Sequence, residues 1–523
     1  MSNTKIIEVP ENDSQENEGA STSSPRINES RRGNVSKLGE SPLHPEPNDA
    51  TQVFLNLKQE CLSEQVLFED PKFPAADSSL FPSGIPTGKF SGNVVWKRPK
   101  EIVSNPQFFV DGVSRFDAKQ RDFSDCWVIA ALSSLAMRPK LLYKVVPKDQ
   151  SFQEDYAGIF HFRFWRYGKW VDVVIDDRLP TDSEGLVCAR SSDSNEFWTS
   201  LVAKAYAKLY GSWEAIEYGQ ASEALEDFTG GISVTHPLND PQRSPKFPTF
   251  HHAQKRRALI ACQSKSRQEP IFARGIGNID SGIVGKHVYS VVEVSNYKGF
   301  ELLRLRNPWG NEAEWRGPFR DSDEVWIDED MRKALNFEPA NDGEFYIPFK
   351  RMLNHFSLAH ICYPDFQSMF EDKCNLVSFE GKWVRRELTA GVNDRAEILS
   401  RNRQFFVTLE HLNDLDGKRK MFIAVMQKNR RMKRAPYLEI GFEVYQVKDA
   451  DQSSAPLGID FFRRNKPVDG SGSGPGLREV YNVFKLEPGV YCVIPSIYAK
   501  IDGRMKLVCN EEEEFLLRVW FAV

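Results

Sequence analysis

The apolar positions of this chain change character along its length. Up to about residue 47 they show no period: Ser, Asn, Glu and Pro dominate, and no aromatic residue precedes Phe54. Such a segment cannot bury enough apolar surface to offset the entropy of ordering it, so a disordered tail is expected over residues 1–50. Leucines and aromatics gather from Val53 onward, where a compact region is expected to begin. Ser124-Asp125 then opens into Cys126-Trp127-Val128-Ile129-Ala130-Ala131-Leu132, a run with hardly any polar face that stops near Pro139. A capping-type residue, helix formers and a terminating proline predict a buried helix with Cys126 in its first turn. A second helix is predicted where Phe197, Leu201, Ala205 and Leu209 recur every four residues, with Gly211 as its C-cap. Two strand-like runs, 161–165 and 170–175, lie between the helices and are joined through Tyr167-Gly168.

The paired glycines Gly230-Gly231 predict a hinge between two lobes, because the backbone turns there with least steric strain. The stretch from there to Arg267 reads as basic and irregular. Its His251 and His252 read as solvated loop residues, with no acidic or cysteine partner at metal-ligand spacing. Two β-rich runs follow, 287–294 and 300–307, separated by Ser295-Asn296-Tyr297-Lys298-Gly299. Folded symmetrically about Tyr297, this hairpin sets Val294 opposite Phe300 and His287 opposite Asn307, on one face of its open end. Beyond residue 365 the pattern is almost wholly β, with strands expected at 404–409, 421–425, 440–445, 490–494 and 515–521. Repeated short strands with Gly, Asp and Lys turns predict a sandwich, so the chain as a whole is of the α+β class.

Composition narrows the function. A length of 523 residues suits two to four domains, and a net charge of -5 gives no reason to expect a nucleic-acid partner. The eight cysteines stand singly, without a C-x-x-C pair, so neither a zinc site nor a disulfide scaffold is indicated. The N-terminus lacks the apolar core of a secretory signal, and nothing approaches the roughly 18 apolar residues of a membrane span. A reducing, cytoplasmic address follows, in which a free thiol survives.

A cysteine at a helix start, with a later His and Asn on one hairpin, is the arrangement of papain-like proteases. The helix N-terminus favours a thiolate at Cys126; the bland alternative is a small buried hydrophobe. Gln120, six residues ahead of Cys126, stands where an oxyanion donor is needed.

The landmarks around these residues resemble the calpain family. They are Trp96-Lys97-Arg98-Pro99, Asp125-Cys126-Trp127, Ala157-Gly158-Ile159-Phe160-His161-Phe162 and Asp176-Asp177-Arg178-Leu179-Pro180. Asn195-Glu196-Phe197-Trp198, Phe228-Thr229-Gly230-Gly231 and Arg306-Asn307-Pro308-Trp309-Gly310 follow in order. The resemblance runs from about Phe68 to the C-terminus. It implies a papain-like two-lobed cysteine protease core, lobe 1 over 51–230 and lobe 2 over 231–356, followed by a C2-like β-sandwich over 365–523. It implies Cys126, His287 and Asn307 as the triad, Gln120 as oxyanion donor and Trp309 as a shield over the His–Asn contact. It also implies two calcium ions (Ca2+) in the core. One would be held by the carbonyls of Val110 and Gly112 with Asp117 and Glu196. The other would be held by Glu314, Asp321, Asp342 and Glu344 with the Ala340 carbonyl, all oxygen ligands suited to a hard cation. Arg115 would clamp the lobes through Glu344.

Three positions depart from the family pattern: Arg121, Ser124 and Lys286 stand where calpains usually carry glycine, which puts rate and specificity in question. No stretch fits an EF-hand loop, so no EF-hand small subunit is expected. The function implied is a calcium-activated intracellular endopeptidase making limited cuts in proteins, with weak phospholipid or protein contact through the sandwich. Its rivals are a catalytically weak or inactive calpain-like scaffold and a Cys-His transferase of the transglutaminase kind. The latter wants Asp as third member where this chain has Asn307.

Overall fold

The computed structural model describes residues 6–9, 34–36, 49–84, 93–266, 281–311, 313–370, 374–384, 394–410, 417–448, 451, 455–472, 476–501, 504–508 and 512–522. Two compact units result, one of residues 41–370 and the other of residues 371–523 together with 1–40.

The first unit is built on the predicted helix, Cys126–Ala136, whose Trp127, Val128, Ile129, Ala130, Ala131, Leu132 and Leu135 are wholly buried. It ends before Pro139, which is not a bare terminator but the first residue of the next helix, Pro139–Val145. Proline is tolerated there because the missing N–H has no intrahelical partner to lose. The second predicted helix runs Trp198–Tyr210 and is closed by Gly211 at φ +98°. Its Trp198, Leu201, Val202, Ala205 and Tyr206 share one core with the Cys126 helix. The strand pair is Ile159–Arg166 with Lys169–Asp176. Tyr167 and Gly168 take φ of +48° and +90°, the two positive values that a right-twisted two-residue turn demands. A helix not foreseen, Asp49–Glu64, buries Phe54 and Cys61 against Ala157 and Ile159 on the outside of this hairpin.

The paired glycines serve packing as well as turning. Gly230, at φ +70°, is the C-cap of helix Ala221–Thr229. A Cβ on Gly231 would stand 2.2 Å from the Tyr363 carbonyl oxygen, so no side chain fits. Strand Ile232–Pro237 starts at the next residue. The basic stretch after it is regular, which corrects the reading above: it forms helix Phe247–Lys255 and strand Leu259–Ser264. Phe247, Phe250 and Ala253 supply the buried stripe that the intervening His, Gln and Lys residues conceal, and His251 and His252 lie on that helix.

The second lobe is a six-stranded antiparallel sheet. Its order is Glu344–Pro348, Phe300–Arg306, Val288–Tyr297, Leu259–Ser264, Phe356–Tyr363 and Ile232–Pro237. Strand Phe356–Tyr363 lies inside the sheet, so this lobe runs to Tyr363 and not to residue 356. The hairpin register also differs from the symmetric folding. Lys298 and Gly299, at φ +48° and +90°, make a two-residue turn, so Tyr297 faces Phe300 and Val294 faces Leu303. A bulge between Val291 and Glu293 then shifts the register once, setting Ser290 opposite Arg306. His287 and Asn307 still fall at the open end of the hairpin, just outside its two strands.

The second unit is a two-sheet sandwich. One sheet contains Gln404–Leu409, Gly489–Ile501 and Glu439–Val447; the other contains Glu479–Leu486, Arg419–Gln427, Glu513–Ala522 and Cys374–Trp383. Inward residues such as Phe405, Ile423, Phe442, Val493, Phe515 and Val519 fill the space between them. The segment expected as a tail supplies an edge strand to each sheet, Ile6–Val9 beside Gln404–Leu409 and Asn34–Ser36 beside Cys374–Trp383. Edge pairing draws on main-chain hydrogen bonds and needs little apolar content.

Candidate active site

Cys126 is the first residue of its helix, with Asp125 at the N-cap. Asp125 offers its side chain to no N–H of the first turn; its carboxyl is buried, which raises it to about 7, and a hydrogen bond with Gln120 opposes the shift. Cys126 is half-buried on the first turn of its helix, where desolvation opposes the effect of the helix start. Burial pushes its thiol up to about 12 against the N–H of Val288, and Asp125 adds to the rise. A cation beside the sulfur would favour the thiolate against this desolvation.

A cavity of about 510 Å³ brings Cys126 together with Gln120, Lys286, His287 and Trp309. His287 is buried, and its Nε2 lies 2.9 Å from Asn307 Oδ1. The carboxamide of Asn307 is fixed, because its Nδ2 donates to Ala313 O at 2.9 Å while its Oδ1 accepts from the Trp309 backbone N–H at 3.1 Å. An Oδ1 oriented as an acceptor makes Nε2 the protonated nitrogen of the neutral ring, leaving the basic lone pair on Nδ1. The Trp309 ring covers the imidazole at a centroid distance of 4.9 Å. Its Nε1–H reaches across the lobes to Gln120 Oε1 at 3.0 Å. Gln120 is held further by its Nε2, which donates to Phe123 O at 2.7 Å, and by its backbone N–H, which donates to Pro308 O at 2.8 Å.

Arg121, Ser124 and Lys286 all line the cavity, the first and last of them as long cations. Arg121 does not project freely. Its guanidinium meets Asp182 at 3.0 Å, Glu184 at 3.1 Å and Asp122 at 3.2 Å, and donates to Leu186 O. Lys286 is exposed at φ +52°. Ser124 accepts at its carbonyl from the Tyr218 N–H at 3.1 Å.

The acidic residues read as cation ligands cluster in part. Val110 donates its N–H to Glu196 Oε1 at 2.8 Å, and Ser114 donates its N–H to Asp117 Oδ2 at 2.6 Å. Burial raises Asp117, and raises Glu196 to about 7 with the Asp117 charge contributing. Gly112, at φ +98°, belongs to the same loop. In the second cluster Glu314 accepts from the Gly343 N–H at 2.9 Å and Asp321 from the Ala340 N–H at 3.3 Å. Burial, with the Asp342 charge nearby, raises Glu314 to about 7 and Asp321 to about 6. Asp321 Oδ1 is buried with no hydrogen-bond partner. Glu344 stands apart from this group: Arg115 holds it with both Nε and Nη2, the latter at 3.0 Å, and Arg304 at 2.7 Å. No three His, Cys, Asp or Glu side chains among the described residues converge as a ready metal site.

Sequence reasoning gave no role to Arg306, which stands in the Arg306-Asn307-Pro308-Trp309-Gly310 motif. Wholly buried, it donates to Arg115 O at 3.1 Å, Ala118 O at 3.3 Å and Asp342 O at 2.7 Å, tying both acidic loops to the hairpin. Its signal was an arginine ending an apolar strand, where a charge is kept only if partners enclose it.

Comparison with known proteins agrees with this geometry. Residues 68–363 match the family model described as calpain family cysteine protease, and residues 379–520 match calpain large subunit, domain III. The chain is 39% identical over 509 residues to Calpain-A of Drosophila melanogaster, covering 93% of this chain and 59% of that protein. Calpain-B of the same fly is 39% identical, covering 89% of this chain and 51% of that protein. Calpain-8 of Mus musculus is 41% identical over 498 residues, covering 90% of this chain and 70% of that protein. The chain thus spans between half and three fifths of the two fly relatives. The first unit holds the papain-like core, and the second is a C2-like sandwich. No helix among the described residues is long and apolar enough to cross a membrane.

Proposed function

This chain belongs to the calpain family of cysteine proteases, and we propose that it is a calcium-activated endopeptidase making limited cuts in cytoplasmic proteins. The observation that carries the reading is the His287–Asn307 pair, capped by Trp309 and opening on the same cavity as Cys126. Nδ1 of His287 takes the Cys126 proton, and the imidazolium so formed supplies the positive charge that the desolvated thiolate needs. The sulfur attacks the substrate carbonyl. A Gln120 N–H and the Cys126 backbone N–H then steady the oxyanion, for which Gln120 exchanges one of its present hydrogen bonds. His287 hands the proton to the leaving amine, and water hydrolyses the thioester by the reverse relay.

The residues fit a hard cation in each lobe: Val110, Gly112, Asp117 and Glu196 in the first, Glu314, Asp321, Asp342 and the Ala340 carbonyl in the second. Supporting this are carboxyls raised by burial and further by a neighbouring charge, and the buried Asp321 Oδ1, which has no hydrogen-bond partner among the described residues. Bound calcium would supply positive charge that relieves this repulsion and orders the two loops. Glu344, held by two arginines, is the least suited of the expected ligands. The rival reading is a calpain-like scaffold of weak or absent activity. Casein digestion by the purified chain, with calcium and with EGTA, separates the two. Cleavage that requires calcium and vanishes in Cys126→Ser supports the protease; an intact fold without cleavage supports the scaffold.

A further inference from the structure

The walls of the cavity differ in charge. On the first-lobe wall Arg121 is neutralised by Asp122, Asp182 and Glu184, all within 3.2 Å of its guanidinium. On the second-lobe wall Lys286 is exposed, and no carboxylate among the described residues forms an ion pair with it. Lys265, whose carbonyl accepts the Lys286 N–H, turns its Nζ to the carbonyls of Leu353 and Asn354, at 3.2 and 2.9 Å. Among the described residues, then, Lys286 lines the cavity as a cation without an ion pair. Its backbone sits at φ +52°, a left-handed conformation that strains a lysine and that glycine would adopt freely. It is also the chain neighbour of His287.

Resting on the protease reading above, we propose that Lys286 determines specificity by drawing an acidic side chain of the substrate to the leaving-amine side of the scissile bond. The geometry of the chemistry sets the side. His287 must reach the leaving nitrogen to protonate it, so the residue bearing that nitrogen passes beside the imidazole. The four-carbon stem of Lys286 lets its ammonium reach on the order of 6 Å from the adjacent backbone, across one substrate residue. An aspartate or glutamate there finds a cation that no carboxylate among the described residues pairs. A lysine there meets like charge, which is how binding sites reject the wrong ligand.

The test uses the full chain with calcium and three quenched peptides that differ only in the residue after the scissile bond: Glu, Gln or Lys. Wild type should show kcat/KM in the order Glu, Gln, Lys, with Glu about 3- to 5-fold above Gln, as an exposed ion pair provides. Added salt should shrink the ratio. Lys286→Glu should invert the order, and Lys286→Gly, which also relieves the backbone, should flatten it. The same order in Lys286→Glu as in wild type, or no order in wild type, overturns the assignment while leaving the protease reading intact. Failure of wild type to cut any of the three overturns both.

Discussion

Trp309 shows how a single side chain joins the two halves of the site. Its ring covers His287 while its Nε1–H holds the Gln120 carboxamide from the opposite lobe. These two roles can be separated. Trp309→Phe keeps an aromatic cover but removes the donor, so Gln120 loses the contact that fixes which end of its amide faces the substrate. Loss of one such orienting hydrogen bond should lower kcat about 5- to 30-fold, with KM for a peptide changed far less. Trp309→Ala should lose more, because water then competes for the His287–Asn307 contact. Equal kcat in wild type and Trp309→Phe would show that Gln120 needs no partner. The nucleophile is tested at the same scale: Cys126→Ser should remove activity without loss of fold, since oxygen replaces sulfur at nearly the same volume. The raised thiol also means that labelling of Cys126 by iodoacetamide should depend on an intact His287, so His287→Ala should slow it.

At the scale of elements, the unforeseen helix Asp49–Glu64 rests on a titratable group. Phe54 stacks on His161 at 3.9 Å between centroids, and the His161 ring nitrogens meet Asp172 at 2.8 Å and Asp149 at 3.2 Å. Burial disfavours its charge, but the hydrogen bonds to Asp149 and Asp172 outweigh that, and His161 is raised above 6.5. Its protonated form therefore favours the fold. That contribution is complete below an unfolded value of about 6.5 and is lost as pH rises through the higher folded value. As pH rises above about 6.5 the urea midpoint of wild type should fall more steeply than that of His161→Gln. Proteolytic nicking near the helix should rise over the same range, because the cation that faces the Phe54 ring is lost. Parallel slopes in the two proteins would remove His161 from the account. Much of this level was readable in the chain. The buried helix at Cys126, the Gly211 cap, the Tyr167-Gly168 turn and the strand at Gln404–Leu409 all follow from apolar period and turn chemistry. What escaped was decided elsewhere. The Val291/Glu293 bulge has no local signature, and the second lobe's last strand was missed because its neighbours in the sheet are far away in sequence. His287 and Asn307 lie within hydrogen-bond distance although the ladder differs from the symmetric one, since both stand at the open end, where a shift of the ladder still leaves them within reach.

For the protease unit as a whole, the question is what holds the two lobes in register, since Cys126 and Gln120 come from one and His287 and Asn307 from the other. Arg115 lies two residues before Asp117 of the first acidic cluster, and its partner Glu344 lies two residues after Asp342 of the second. Arg306 binds the carbonyls of Arg115, Ala118 and Asp342 together beneath this pair. A cation ordering either loop would thus set one end of the Arg115–Glu344 bridge and favour its closing at the other, which is a two-state element biased from both sites. Removing the bridge should uncouple the loops without touching the triad. Arg115→Ala should lower calcium-dependent cleavage, because a misplacement of about 1 Å between Cys126 and His287 can cost on the order of 100-fold. It should also bring the Hill coefficient of the calcium response towards one. Calorimetry on the full wild-type chain should titrate two ions into the core clusters. Asp117→Asn combined with Glu196→Gln should remove one of them and weaken the other, whereas in the Arg115→Ala background the same pair should leave the second ion unaffected. Full activity of wild type in EGTA would end the calcium switch while leaving the cysteine protease in place. An unchanged Hill coefficient in Arg115→Ala would instead show that the lobes are coupled by Arg306 and the Trp309–Gln120 contact alone.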